Sequence, residues 1–551
     1  MKLINTYILL VCATIAVTLH SCSDSFLQRD SLVAVSSGTF WTSEDDALSG
    51  LAACYDGLQN NFLYNGDLYK GGGPLAMDCM TDNGGGPLAM DCMTDNGGHF
   101  NWTGWMPGYD ICNGIHTSSS WMVTSYWMGA YEEIKRCNAL IGNIDKVPMD
   151  ASKVEIYKAE AVVLRSLMYT NLTMLYHDVP YFTSIQSVTD AKAAKTDRAT
   201  IVADVMKDLK DAAKVLPPTA SSWGRMTKGA ALSLLGRLAL YNEKWDEAIS
   251  AYRQVKELGY SLYKTGDNPY MDLFTEANEQ CNEIIMSVRY EGPGKEEGNA
   301  MAPHYDAPLE AMNGTIDLAD AFYDITTGKP TTDKKIVNGL TTEGKPDLWD
   351  PNTTRYNNRD PRLKVTLFTP WDGWNDKWPN AYGGSAPSNS TLYVLKYFNP
   401  SLSSSGSFDS GQDFYIIRYA EVLLSLAEAL VEKGGYSYDE VVGLVDEVRN
   451  RVKMHTVGEI ESKNGQLDQA GLREVIRHER RVETAFEGLR LFDLYRWKEL
   501  KNAVDRINKE AADNQLQYEY RNYRGEMEYV WPIPLHETDA NPNLEQNELW
   551  K

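Results

Sequence analysis

The chain has 551 residues, 43% of them hydrophobic, and its 76 acidic against 53 basic side chains leave a formal net charge of -23. That length exceeds a usual single core, so one large scaffold with insertions is expected. The acidic excess excludes nucleic acid and anionic lipid head groups as ordinary partners, because both are gripped by Lys and Arg, and it favours an uncharged ligand.

Lys2 gives the chain a positive start, and Leu3 to Leu19 is mostly apolar but too short for a dependable membrane span, which is the pattern of an export signal. Leu19-His20-Ser21-Cys22 matches the bacterial lipobox, so residues 1–21 read as a lipoprotein signal peptide and Cys22 as the acylated anchor. Ser23-Asp24-Ser25 opens a polar tether, and no later charge-free stretch is long enough to cross a bilayer. Besides Cys12 and Cys22, the cysteines are Cys54, Cys79, Cys92, Cys112, Cys137 and Cys281, without CxxC or Cys/His metal spacing. Buried thiols are expected, and one or two disulfides stay open to an exported chain.

Residues 22–120 read as the tether, a helix and variable ligand-facing loops. Within them Gly71 to Asn83, GGGPLAMDCMTDN, recurs unchanged as Gly84 to Asn96. A functional repeat would have drifted, so this is a recent tandem duplication or an assembly error and not a binding array. One copy is expected to take the structural place and the other to be extruded as a Gly-rich surface loop.

Residues 121–258 turn helical. Trp127, Tyr131, Ile134, Cys137, Leu140, Ile141 and Ile144 recur at three- and four-residue steps after Trp121. A second helix runs from Ile156 to about Tyr176, stopped by Asp178-Val179-Pro180, and a third from Ile201 to Val215. Lys228 to Tyr241, with small Ala230 and Ala231, then Trp245, Ala248, Ile249 and Tyr252, resemble a tetratricopeptide hairpin.

From 259 to 412 the helical period fades into a loop-rich insertion with strand-like runs at Ile284 to Tyr290 and Thr391 to Tyr397. Helices return in 413–551, at Tyr419 to Glu432, Tyr438 to Lys453 and Gln469 to about Ile507. The fold class is therefore mainly α: a tetratricopeptide-like helical scaffold with a loop-rich insertion carrying short strands. On the last helix Arg480 with Glu483, Glu487 with Arg490, and Asp493 with Arg496 stand three apart, each pair worth about 0.2–0.5 kcal/mol if exposed. This stretch is read as holding the fold, and Glu479, Glu483 and Glu487 are not taken as catalytic acids.

A neutral glycan offers weakly apolar C–H faces and a rim of hydroxyls, so its site wants flat aromatic platforms beside Asp, Asn or Arg. Two Gly- and Pro-rich clusters fit: Phe100, Trp102, Trp105 and Tyr109 directly after Asp95-Asn96, and Trp371, Trp374, Trp378 and Tyr382. Trp121, Trp127, Trp245 and Trp497 fall in helical periodicity and are expected in the core. HExxH, GxSxG and GxxxxGK[ST] are all missing and the eight histidines are scattered, so no catalytic, cofactor or metal residues are assigned.

Ile416 to Ala429 (IIRYAEVLLSLAEA), Arg477 to Trp497 (RHERRVETAFEGLRLFDLYRW), Trp531-Pro-Ile-Pro534 and Asn541 to Asn547 (NPNLEQN) follow one another in an order that resembles the SusD/RagB family. Ala159-Glu-Ala161 with Arg165, Tyr176-His-Asp-Val-Pro180 and Arg359-Asp-Pro-Arg-Leu363 extend the resemblance upstream. It implies a SusD-like fold and a lipoprotein on the outside of a Gram-negative outer membrane. It also implies a non-catalytic glycan-binding role, with a SusC-type TonB-dependent transporter as partner. In that family the glycan lies on an aromatic cradle built from a loop after a "TDN" region and from the large insertion. By position this implies Asp95, Asn96, Trp102 and Trp105, and Trp371, Trp374 and Trp378, as carbohydrate-binding residues. Nothing in the sequence identifies the transporter's docking surface, and the tetratricopeptide-like helices from Trp121 to Leu258 are the place to look for it. Some relatives serve peptide importers, which makes a peptide-capturing lid the alternative and a surface glycosidase the more distant one.

Overall fold

The structure is a computed structural model that describes residues 40–60, 62–64, 90–98, 108–295, 297–299, 313–331, 355–369, 392–397, 409–461, 465–514 and 520–551. Cys22, Cys79, Trp102, Trp105, Trp371, Trp374 and Trp378 lie outside them.

The long helices are α1 (Glu44–Asp56), α2 (Trp121–Asn143), α3 (Ala151–Leu175), α4 (Arg198–Val215), α5 (Lys228–Tyr241) and α6 (Trp245–Lys256). Side-chain oxygens satisfy the free amides at several helix starts: Ser43 closes a capping box with Asp46, and Asp150, Asp197 and Thr227 cap α3, α4 and α5. Helix α3 ends at Leu175, before Asp178-Val179-Pro180, as the proline predicts. Consecutive helices pack on one another from α2 through α6. The α5–α6 pair is drawn close by small residues: Ala230 and Ala231 are fully buried, and Gly236 lies directly against the Tyr252 ring.

After a short α7 (Ile316–Ala321), the chain returns to α8 (Tyr419–Lys433), which packs on α6 and then receives α9 (Tyr438–Arg451) and α10 (Gln469–Glu483). The expected helix from Gln469 to about Ile507 is instead three: α10, α11 (Arg490–Trp497) and α12 (Leu500–Asn514). The breaks fall where Phe486, Gly488 and Lys498 take positive φ (59°, 76° and 58°). The three-apart pairs are corrected as well. Only Asp493–Arg496 forms, at 2.8 Å, while Arg480, Glu483, Glu487 and Arg490 bond across the fold in buried surroundings.

Two small sheets join the insertion to this frame. Strand β2 (Ile284–Val288) pairs antiparallel with β6 (Phe414–Arg418), which runs straight into α8. The other sheet has the order β1-β3-β5-β4, all neighbours antiparallel, from Gly97–Gly98, Asn313–Gly314, Leu392–Val394 and Leu367–Phe368. A buried charge network welds these pieces together. Arg362 contacts Asp360, Glu479 and Glu483; Arg418 contacts Glu283, Glu483 and Glu487; Arg451 contacts Glu283 and Glu483; Lys396 contacts Glu487.

Trp127 is buried as expected, whereas Trp121, Trp245 and Trp497 are half-buried. Trp497 lies beneath the guanidiniums of Arg477 and Arg496, each 4.6 Å from its ring. Among the described residues no disulfide joins Cys54, Cys92, Cys112, Cys137 and Cys281, and all but Cys281 are buried. No helix among the described residues is long and apolar enough to cross a membrane.

Candidate ligand-binding site

Residues 90–98 are the described stretch that leads into the first aromatic cluster, and the whole segment is buried. It is a compact polar knot. Thr94 Oγ1 donates to the Asp91 carbonyl (2.6 Å) and accepts from Asn96 N–H (3.0 Å), while Asn96 Nδ2 donates to Asp91 Oδ1 (2.8 Å). The other Asp91 oxygen accepts Gly488 N–H at 2.7 Å. Burial pushes the Asp91 carboxyl up to about 6, against the pull of those Asn96 and Gly488 donors.

Asp95 and Asn96 are placed inward, both with no exposure, which corrects the expectation that they face a ligand. Arg490 grips the Asp95 carboxylate with two bonds of 2.8 Å, and Arg506 and Arg481 close on the same group. Arg481 also donates to Asn96 Oδ1 (3.0 Å) and to the Asp95 carbonyl (2.9 Å), and pairs with Asp317 of α7 at 2.7 Å. Burial alone would raise the Asp95 pKa; Arg481, Arg490 and Arg506 overcome it and hold the carboxyl well below the usual range. Arg521 binds the Thr94 and Gly97 carbonyls (2.5 and 2.7 Å), so four arginines fix this stretch. Sequence reasoning missed them. Arg481 and Arg490 sit inside the ERRVETAFEGLR motif, where the periodicity pairs Arg490 only with Glu487 and gives Arg481 no partner.

The knot feeds β1, and the sheet order then gathers the flanks of both aromatic clusters. Gly98, Asn313, Tyr393 and Phe368 stand in one row across the four strands. At about 4.8 Å per strand, Gly98 and Phe368 are roughly 14 Å apart. The first cluster begins two residues after Gly98, and the second lies between Phe368 and Leu392. A row of this width matches a few sugar rings and is held by buried charge instead of by its two- and three-residue strands. The clefts on the helical stack are elsewhere. One of ≈ 820 Å³ is floored by Ala199, Val202, Ala203 and Met206 with Lys210 and Lys244 at its rim, and shares no residue with the sheet.

Comparison with known proteins agrees with this architecture. A family model described as "SusD family" matches residues 282–550, and one described as "Starch-binding associating with outer membrane" matches residues 85–240. The chain is 24% identical to SusD-like protein P25 of Formosa agariphila, over 95% of each chain. Among solved structures it resembles a SusD-like carbohydrate binding protein from Bacteroides fragilis (TM-score 0.72, 24% identity, covering 92% of this chain and 100% of the other). It also resembles a laminarin binding SusD-like protein (TM-score 0.66, 22% identity, 92% and 100%). With its mostly helical frame, its short paired strands and these matches along nearly its whole length, the chain belongs to the SusD/RagB family.

Proposed function

We propose that this protein captures an oligosaccharide or polysaccharide on aromatic platforms and passes it, uncleaved, to a SusC-type TonB-dependent transporter, while tethered to the outer membrane through Cys22. The observation that carries the ligand reading is the single row across the four-stranded sheet, which brings the flanks of Phe100–Tyr109 and Trp371–Tyr382 within about three strand spacings. Seven of the rings in those segments are Trp or Tyr, which stack on sugar C–H faces and keep a polar edge for hydroxyls. A family description that names starch binding and outer-membrane association, and a structural neighbour that binds laminarin, support the ligand class and the location. The acidic surface agrees with an uncharged ligand.

Trp102, Trp105, Trp371, Trp374 and Trp378 are the residues proposed to touch the glycan. Asp95 and Asn96 act from beneath, by fixing the backbone that leads to the first cluster. The test is retention of the purified protein on a panel of immobilised glycans. A folded Trp371→Ala/Trp374→Ala double variant is expected to lose retention, and unchanged retention removes that cluster from the site. Calorimetry against oligosaccharides and mixed peptides decides the ligand class, since heat from peptides alone would overturn the glycan reading in favour of a peptide-capturing lid.

A further inference from the structure

The duplicated stretch has a structural consequence that follows from how far it extends. Shifted by thirteen positions, the sequence is identical from Gly71–Gly85 to Gly84–Gly98, fifteen residues in all. The second copy therefore contains the entire buried segment 90–98, including strand β1. Every group that segment uses has a twin: Asp91 in Asp78, Cys92 in Cys79, Thr94 in Thr81, Asp95 in Asp82, Asn96 in Asn83, and the β1 glycines in Gly84 and Gly85. The site is demanding. A Cβ on Gly97 would meet the Asn313 carbonyl oxygen at 2.9 Å, and Asp95 is surrounded by Arg481, Arg490 and Arg506. The first copy meets each demand with the same residue.

We propose that the protein folds in two registers, with either 90–98 or 77–85 seated in this one slot, and that the register sets the length of chain between the sheet and the helix that starts at Tyr109. With 90–98 seated, the connections are 25 residues (65–89) before the slot and 9 residues (99–107) after it. With 77–85 seated they are 12 (65–76) and 22 (86–107). The contacts inside the slot are the same in both registers, so the difference lies in closing the two connections. Because that entropy grows only with the logarithm of length, the two arrangements differ by a factor of about 1.3 in population, in favour of the one described above. Exchange requires the Asp95 network to open, so the partition is set during folding and relaxes slowly. In the second register Phe100, Trp102 and Trp105 belong to a connection of 22 residues instead of 9. Any consequence for ligand contact rests on the glycan-binding reading; the two registers do not.

The test compares Asp95→Ala in the full chain and in a chain lacking residues 71–83. The shortened chain keeps one copy, so the substitution there leaves three arginines facing an empty slot, and a fall in Tm of about 3–4 °C is expected. In the full chain Asp82 takes over, and the same substitution leaves Tm nearly unchanged. Maleimide labelling of folded protein, read by peptide mass, is expected at both Cys79 and Cys92 in the unsubstituted full chain and to concentrate on Cys92 in its Asp95→Ala variant. Equal losses in the two backgrounds, or a full-length variant in which Cys92 stays protected, would overturn the proposal.

Discussion

Glu483→Gln tests whether the buried charge network holds the insertion to the frame. The Glu483 carboxylate receives Arg418 at 2.5 Å and Arg362 at 2.8 Å and is closed by Arg451, and all four side chains are essentially without solvent contact. Around it Arg362, Arg418, Arg449, Arg451 and Lys396 face Asp360, Glu283, Glu479, Glu483 and Glu487, so the charges balance. The amide keeps size and shape but leaves one buried cation uncompensated, which costs about 3–5 kcal/mol. For a chain this long, with an unfolding entropy of about 2.1 cal/mol/K per residue, that is a Tm loss of about 3–4 °C at pH 7, measured by calorimetry or near-UV circular dichroism. The pH dependence has a definite sign. Burial raises the Glu483 pKa, but Arg451, Arg418 and Arg362 outweigh it and hold the carboxyl well below its usual range. A depressed folded pKa gives stability that is present above the unfolded value of about 4.3 and lost as pH falls below it. The gap between wild type and variant should be flat from about pH 6 to 8 and close on acidification below about pH 4. Equal melting at pH 7, or a gap that widens in acid, refutes the reasoning.

Glu279 shows the opposite sign. Its carboxylate accepts Asp413 N–H (2.5 Å) and Gln412 Nε2 (3.0 Å), and burial, followed by the charge of Asp413, pushes it up to about 8. Its stabilising proton is held below the unfolded pKa and lost as pH rises through about 8, so wild type should melt lower at pH 9 than at pH 6 while Glu279→Gln resists that fall; parallel curves would refute it. Gly236→Ala and Gly443→Ala separate helix propensity from packing. A Cβ at Gly236 would sit 2.5 Å from the Tyr252 ring, so that variant should lose stability, whereas the exposed Gly443 in α9 meets nothing within 4 Å. Gly443→Ala should gain up to about 1 kcal/mol in urea unfolding, and a gain of that size at Gly236 would show that the α5–α6 approach is looser than described.

The helices were legible because their apolar residues repeat at the helical period. Trp121, Lys228, Tyr438 and Gln469 begin helices where that periodicity begins. The break after Glu483 was not legible, because Phe486 adopts a positive φ that a bulky residue avoids locally. It is held there by contacts distant in sequence: Lys396 reaches the Glu483 and Ala485 carbonyls, and Asp91 accepts Gly488 N–H. Strand β1 carried no signal either, since two glycines have no strand preference and pair only because Asn313–Gly314 lie alongside. Of the candidate site, the chemistry of the tryptophan clusters could be read from composition, whereas the inward role of Asp95 required knowing that Arg481, Arg490 and Arg506 converge on it.

That convergence explains why the most recognisable motifs of this chain are charged. The insertion also packs apolar side chains such as Leu273, Phe274, Leu318, Phe322, Leu363 and Leu392 into the core, but apolar contact is tolerant of small shifts in register. A bidentate arginine–carboxylate pair is directional, and in a buried setting a misaligned one is costly. Arg359-Asp-Pro-Arg362 supplies Arg362 and Asp360, the RYAE helix begins just after Arg418, and the ERRVETAFEG segment supplies Glu479, Glu483 and Glu487. The residues that carry the family resemblance are thus the teeth that fix the insertion on the frame. With the roots fixed in this way, the segments between them are free to differ in length and ring content from one ligand to the next without unsettling the fold.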